Sequence, residues 1–363
     1  MRKLTGLSLF AGAGGMDIGF KNAGIRTLVA SEINKNAADT YERNNPDVKM
    51  FRGDINGNIL EIIEASRGVD VVFGGPPCQG FSVAGKMNPD DPRSQLIWTY
   101  LEVVKRVNPS IFVMENVKAL GTLSKWELVR KKFIDLANDM GYHCEYFVLK
   151  ASDYGVPQNR ERVFFVGSKN KFNRDDFEIY LQKNKEKPQS LRELFRSIPK
   201  IGTGENPITC TAKISLASNP VLRKSPYAGM IFNGMGRPLN LLGYSYTLPA
   251  SMGGNKTPIV DERMIWDEDA PNWLHEYHNN LLQGGSAGGS VPDTLRRISL
   301  REAAAIQTFP ESYVFCGQKS SVYTQIGNAV PCKLAEKVAR AAVEVALRGE
   351  KYQNPAFSFG RLI

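Results

Sequence analysis

Short apolar runs alternate with helically spaced stretches along the first half of this chain. Residues 4–10 read as a strand that stops at a cluster of glycines, and residues 16–23 continue with helical spacing. Residues 27–30 and 49–52 are further strand-like pieces, with a helical stretch at 34–43 between them. Val71-Val72-Phe73 is a buried-strand pattern ended by Gly74-Gly75-Pro76-Pro77. A helix over residues 96–107, then strands at 111–114, 146–149 and 163–167, complete the series. Strand and helix in turn predict a doubly wound α/β sheet, whose ligands bind where strands end.

From about residue 172 the periodicity lapses. Residues 171–205 are charge-rich, with one short amphipathic piece at 191–198. On to residue 290 the chain shows little helical spacing and many Gly, Pro, Asn and Ser, and Gly284-Gly285-Ser286-Ala287-Gly288-Gly289-Ser290 reads as a flexible loop. Regularity returns where Ser299 can cap a helix with Glu302 at the box position, and that helix ends before Pro310. A last helix is expected over residues 332–347, with Leu334, Val338, Ala341, Ala342 and Val345 on one face.

Composition narrows the classes. The 363 residues suffice for two domains, and the net charge of +9 points to a polyanionic partner. Five cysteines, none in a C-x-x-C pair, argue against a disulfide framework and a zinc ribbon, and for a reducing compartment. No signal peptide and no run of about 18 apolar residues is found, so neither export nor a membrane is expected. His275-Glu276-Tyr277-His278 lacks metalloprotease spacing; both histidines are expected at the surface, and no metal is expected.

Candidate chemistry gathers at the strand ends. Cys78 stands on a Gly-Gly-Pro-Pro turn that fixes φ and offers few backbone donors. A structural cysteine sits more often inside an apolar run, which makes Cys78 a candidate nucleophile, although free cysteines as a class are more often inert. Phe10-Ala11-Gly12-Ala13-Gly14-Gly15 has the form of a nucleotide-like site. Asp17 occupies the third glycine position of the dinucleotide fingerprint, and an acid facing a pyrophosphate disfavours NAD. No P-loop string occurs, which argues against ATP.

Glu32, about 20 residues past the glycines, suits a ribose diol, and equally suits the start of the following helix. Asp54 can accept from an adenine amino group with Ile55 on the ring, or serve a turn. Residues 82–95 read as a long loop whose Lys86 and Arg93 can reach phosphates or be solvated. Glu115 follows four apolar residues and is expected to be desolvated, with a raised pKa. Beside Cys78 it becomes a proton donor; alone it is as often structural. Arg160 and Arg162, two apart in an extended segment, are expected to point the same way.

Gly75-Pro76-Pro77-Cys78-Gln79-Gly80-Phe81-Ser82 resembles the catalytic loop of the C5-cytosine DNA methyltransferases. Glu115-Asn116-Val117, Gln158-Asn159-Arg160-Glu161-Arg162, Thr247-Leu248, residues 296–310 and Gly327-Asn328-Ala329-Val330 resemble further blocks of that family, in its order. The resemblance covers residues 4–167 and 296–347. It implies a doubly wound, Rossmann-like, S-adenosylmethionine-dependent methyltransferase fold with a second, smaller, loop-rich target-recognition domain. Residues 1–184 would form the catalytic and cofactor-binding domain, 185–295 the recognition domain, and 296–363 a hinge and a helix returning to the first domain.

The resemblance also implies roles. Cys78 would be the nucleophile, Glu115 the acid at the base, Arg162 a contact to the target base, and Arg160 a support of its pocket. Phe10, Gly12, Gly14, Glu32, Ile33, Asp54, Ile55, Pro76, Asn328 and Val330 would hold S-adenosylmethionine. Ser82, Lys86, Arg93 and Thr247 would meet DNA. The implied reaction is methyl transfer to C5 of a cytosine flipped out of double-stranded DNA, in a restriction–modification system. The expected setting is a monomeric, cytoplasmic, prokaryotic enzyme on nucleoid DNA, with a cognate restriction endonuclease as genetic partner. Three rivals remain. A tRNA cytosine-C5 methyltransferase shares the fold, but no Cys-Phe-Thr string is present. An NAD-dependent dehydrogenase is opposed by Asp17 and the Cys78 platform, and an inactive DNA-binding protein by the presence of Cys78 and Glu115.

Overall fold

The computed structural model describes residues 3–77 and 95–353. The first stretch runs β1 (Leu4–Leu9), α1 (Gly15–Asn22), β2 (Ile25–Glu32), α2 (Lys35–Asn44), β3 (Lys49–Arg52), α3 (Ile55–Ala65) and β4 (Val71–Gly74). It continues with α4 (Leu96–Val107), β5 (Ile111–Val117), α5 (Lys118–Thr122), α6 (Glu127–Asp139), β6 (His143–Lys150), β7 (Gln158–Asn159), β8 (Glu161–Ser168) and α7 (Arg174–Lys183). Then come α8 (Leu191–Arg196), β9 (Leu216–Val221), β10 (Met230–Phe232), β11 (Ser245–Tyr246), β12 (Ile259–Asp261), α9 (Glu262–Trp266), α10 (Trp273–Leu282) and β13 (Leu295–Arg297). Three helices close the chain: α11 (Leu300–Ile306), α12 (Lys319–Asn328) and α13 (Cys332–Gln353).

Seven strands form one sheet in the order β3-β2-β1-β4-β5-β8-β6. β1 to β5 are parallel, and β8 runs antiparallel to both β5 and β6. The crossovers from β1 proceed outward to β3, and the chain then returns to β4 on the other side of β1. That reversal opens a crevice beyond the carboxyl ends of β1 and β4. Leu7, Leu9, Val72, Phe112, Met114 and Phe165 bury the strands in one apolar core. Such continuous apolar runs are what a sheet covered on both faces requires.

The chain divides into two compact units. The first holds residues 1–154, 161–186 and 330–363; the second holds 155–160 and 187–329. Within the first, α13 returns to lie against α1. Gly19 permits this, because a Cβ there would stand 2.5 Å from Glu336 N and 2.6 Å from Cys332 O.

These divisions differ from the expected boundaries at 184 and 295. Residues 296–329 do not travel with the last helix: Ile298, Ala303, Ile306, Val322, Tyr323 and Ile326 share the second unit's core with Leu191, Leu239 and Leu248. The middle third also holds a ten-residue helix, α10, whose spacing the sequence reading missed. Its His278 is buried, not at the surface, with Nε2 2.9 Å from Arg223 O. No helix among the described residues is long and apolar enough to cross a membrane.

Candidate active site

The crevice begins at the end of β1. Phe10 takes a φ of 55°, uncommon for a residue with a Cβ, and Gly12 and Gly14 follow at 55° and 80°. Ala11 N donates to Ser31 O at 2.9 Å, which ties the turn to the tip of β2. Glu32 completes the tie: Oε2 accepts from Gly12 N and Oε1 from Asn34 N, each at 2.7 Å. Burial pushes the Glu32 pKa up, against these backbone donors, which favour the charged form.

Around this turn the expected cofactor residues part company. Among the described residues nothing lies within 4 Å of the Cβ position of Gly12, which leaves space above the turn. Ile33, 69% exposed, borders the tip of β2, whereas Ile55 is buried in the core at the first turn of α3. Its helix buries Ile55, Ile62 and Ile63 together. Asp54 is exposed and caps α3, with Oδ1 2.9 Å from Asn56 N.

Asp17 corrects another expectation. It is turned into the fold, where it accepts hydroxyl hydrogen bonds from Tyr41 at 2.7 Å, Ser8 at 2.8 Å and Thr27 at 3.2 Å. Desolvation raises its pKa to about 6 despite the three hydroxyls.

The platform after β4 is built on close approach. A Cβ on Gly74 would lie 2.0 Å from Leu9 O, and one on Gly75 would lie 2.9 Å from Glu115 Oε2. Asn116 Nδ2 donates to Pro76 O at 3.2 Å and so holds the turn from β5. Cys78 follows directly; it, Ser82, Lys86 and Arg93 lie outside the described residues.

Glu115 is 8% exposed and pairs with Arg162, whose Nε is 2.8 Å from Oε1. The antiparallel register of β5 on β8 brings this about by setting Val117 opposite Arg162.

Arg160 does not join that pair. Between Arg160 and Glu161 the chain passes from the second unit to the first. Arg160 is buried in the second unit, with Nη1 3.0 Å from Gly327 O and Nη2 3.5 Å from Asn328 O. Gln307 Nε2 meets Ile326 O at 2.6 Å and Ala329 O at 3.2 Å, and its Oε1 accepts from Gln158 Nε2 at 3.0 Å. Gln158 Oε1 accepts in turn from Leu248 N at 3.0 Å. Sequence reasoning missed Gln158 and Gln307 as working residues, though both lie in strings that carry the resemblance. Thr247 is exposed, its hydroxyl 3.4 Å from Asn159 O; Asn328 ends α12, and Val330 opens the returning segment.

A crevice at a strand-order reversal, a glycine turn tied to an acid and a proline platform leading to a cysteine raise the question of kinship. The family of the C-5 cytosine-specific DNA methylases matches residues 4–344. The chain belongs to this family. It is 32% identical over 354 residues to the Type II methyltransferase M1.HphI of Haemophilus parahaemolyticus, covering 94% of this chain and 87% of that one. It is 33% identical over 346 residues to the Type II methyltransferase M.MthTI of Methanothermobacter thermautotrophicus, covering 92% and 95%.

Two solved structures share the fold. The Entamoeba histolytica methyltransferase EhMeth matches with TM-score 0.67 and 15% identity, over 95% of this chain and 99% of that one. DNMT2 of Spodoptera frugiperda matches with TM-score 0.66 and 21% identity, over 94% and 99%. The enzyme is thus a DNA cytosine-5-methyltransferase, and S-adenosylmethionine is its methyl donor. The residues present suit that donor: open space above Gly12 and the Glu32 carboxylate at the tip of β2 can receive a nucleoside.

Proposed function

We propose that this methylase acts on a cytosine flipped out of a specific duplex sequence, with Cys78 as nucleophile and the Glu115–Arg162 pair as the group that holds the base. The carrying observation is that pair, seated at the end of β5 and against Gly75, three residues before Cys78. C5 of cytosine is too weak a nucleophile to take a methyl group unaided. Addition of the Cys78 thiolate to C6 breaks the C5–C6 double bond and makes C5 enamine-like. Bound S-adenosylmethionine supplies an electrophilic methyl on a sulfonium centre.

The charged pair serves both halves of this chemistry. Glu115, once protonated, donates to N3 and follows the charge that develops on the ring. Arg162 holds Glu115 in place and stabilises negative charge at O2. Loss of the C5 proton then expels the Cys78 thiolate and restores the double bond. A stacked base cannot present C6 to a thiol, so the base leaves the helix, at a cost of a few kcal/mol.

The Type II relatives support a protective role within a restriction–modification system, on double-stranded DNA. The family match favours DNA over RNA as the substrate.

A duplex carrying 5-fluorocytosine tests the covalent step. Fluorine cannot depart as a cation, so elimination stops after methyl transfer. An adduct stable to denaturing electrophoresis is expected, mapping to Cys78 and absent from Cys78→Ser. An adduct on Cys144, Cys210, Cys316 or Cys332 would relocate the site. No adduct, from protein that methylates the unfluorinated duplex, would refute the mechanism.

A further inference from the structure

A cavity of about 410 Å³ lies toward the other end of β1 from the glycine turn, and none of the residues expected to hold S-adenosylmethionine lines it. Its lining comes from Lys3, just before β1, from Arg26 and Thr27 in β2, and from Lys21 in the last turn of α1. Residues 44–48, from the end of α2 to the start of β3, complete it. Gly24 turns the chain from α1 into β2 at φ 88°. Among the described residues nothing lies within 4 Å of its Cβ position, which leaves the rim open there. Ligand pockets span about 300–1,000 Å³, so the space suffices for a small molecule.

Charge around this cavity is unbalanced. Lys3, Lys21 and Arg26 are exposed, and among the described residues none of them forms an ion pair. Exposed cations elsewhere in the same unit do pair, as Arg52 does with Asp39 and Glu42, and Arg340 with Glu336. Asp47 is the one exposed carboxylate on the lining, so three cations face one anion, an excess of two positive charges. A phosphate monoester carries a charge of about −2 near neutral pH, and lysine and arginine are its usual partners.

The buried end of the lining is Asp17, 4% exposed. Its carboxylate accepts from the hydroxyls of Ser8, Thr27 and Tyr41, which fill three of its roughly four lone-pair positions. Lys21 stands four residues on, at the spacing of a helical ion pair, and forms none with it. The acid thus keeps an acceptor position for an amino, amide or hydroxyl donor. Pro46 and Val48 supply apolar surface for the body of a ligand.

We propose that this cavity is a second small-molecule site of the first unit, for a phosphate ester of mononucleotide size. Lys3, Lys21 and Arg26 hold the phosphate, and Asp17 accepts from the donor groups at the ligand's other end. The site is separate from the methyl-transfer reaction and needs no DNA.

The test is calorimetry on the full-length protein with its cofactor crevice saturated by S-adenosylhomocysteine. Adenosine 5′-monophosphate, ribose 5-phosphate and inorganic phosphate are the titrants. At least one of the two esters is expected to bind at a single site, more tightly than inorganic phosphate. The double variant Lys21→Ala/Arg26→Ala is expected to lose at least about tenfold of that affinity, with KM for S-adenosylmethionine unchanged. Asp17→Asn is expected to lose severalfold for the ester and nothing for inorganic phosphate.

No binding of either ester at millimolar concentration would overturn the site. So would ester binding that S-adenosylhomocysteine abolishes, because the ligand would then lie in the cofactor crevice. Displacement of the ester by a short DNA duplex would assign the three cations to a nucleic-acid backbone instead. Undiminished affinity in Lys21→Ala/Arg26→Ala would overturn the phosphate contacts, and since both positions are exposed, that result does not hang on whether Asp17→Asn folds. Equal losses for ester and inorganic phosphate in Asp17→Asn would overturn the part given to Asp17.

Discussion

At the scale of single residues, the charged groups divide by what surrounds them. Asp17 and Glu115 are both buried carboxylates, but Asp17 is surrounded by hydroxyls and Glu115 by a guanidinium. Asp17 therefore binds a proton more tightly folded than unfolded, with a pKa raised from 3.8 to about 6. The sign follows directly. Its contribution to stability is fully present below pH 3.8 and is lost as pH rises through about 6. The loss amounts to about 3 kcal/mol at most. Asp17→Asn removes this dependence, so the melting temperature of the wild-type protein should fall more steeply between pH 4 and 7 than that of the variant, to an extent set by the shift to about 6. Parallel profiles from calorimetry would show that Asp17 does not titrate there.

At the scale of elements, the ends of α11 and α12 set the backbone of the second unit. α11 closes with a paired reversal: Thr308 N donates to Ala305 O at 2.9 Å and Phe309 N to Ala304 O at 3.0 Å. That motif favours glycine at its left-handed position, yet Thr308 stands there with φ 62°. A β-branched residue in this conformation is strained. Thr308→Gly is expected to stabilise the protein by about 1 kcal/mol and to raise Tm by about 2 °C. A lower Tm would mean that contacts of the threonine side chain outweigh its backbone strain. α12 ends differently. Arg160 and Gln307 satisfy its last carbonyls, and the guanidinium sits at the negative end of the helix.

At the scale of the whole molecule, the second unit is entered more than once. It takes residues 155–160 from the middle of the first unit's sequence and keeps 187–329. Exchange of sequence specificity between relatives should respect that division. A graft of residues 187–329 is expected to fold and to methylate the donor's site. A graft stopping at residue 295 leaves Ile298, Ala303, Ile306, Val322, Tyr323 and Ile326 facing a foreign core, and a Tm lower by at least several degrees is expected. Equal stability of the two chimaeras, measured by thermal melting, would show that the shared core does not couple these segments.

The sequence by itself determined the parallel part of the sheet, the glycine turn and the proline platform. Each rests on neighbours in the chain: apolar runs closed by Gly or Pro carry their own geometry. It also identified Glu32, Cys78, Glu115 and Arg162 as candidates, because each sits at a strand end or in a string that carries a family resemblance. Only the tertiary structure decided which partners these groups have. Strand register joined Arg162 to Glu115, and burial turned Asp17 inward, made Ile55 a core residue and set Arg160 on the end of α12. Gln158 and Gln307 were illegible for the same reason. Their partners lie up to 149 residues away, and nothing local in a sequence says whether a polar side chain will meet water or a buried carbonyl.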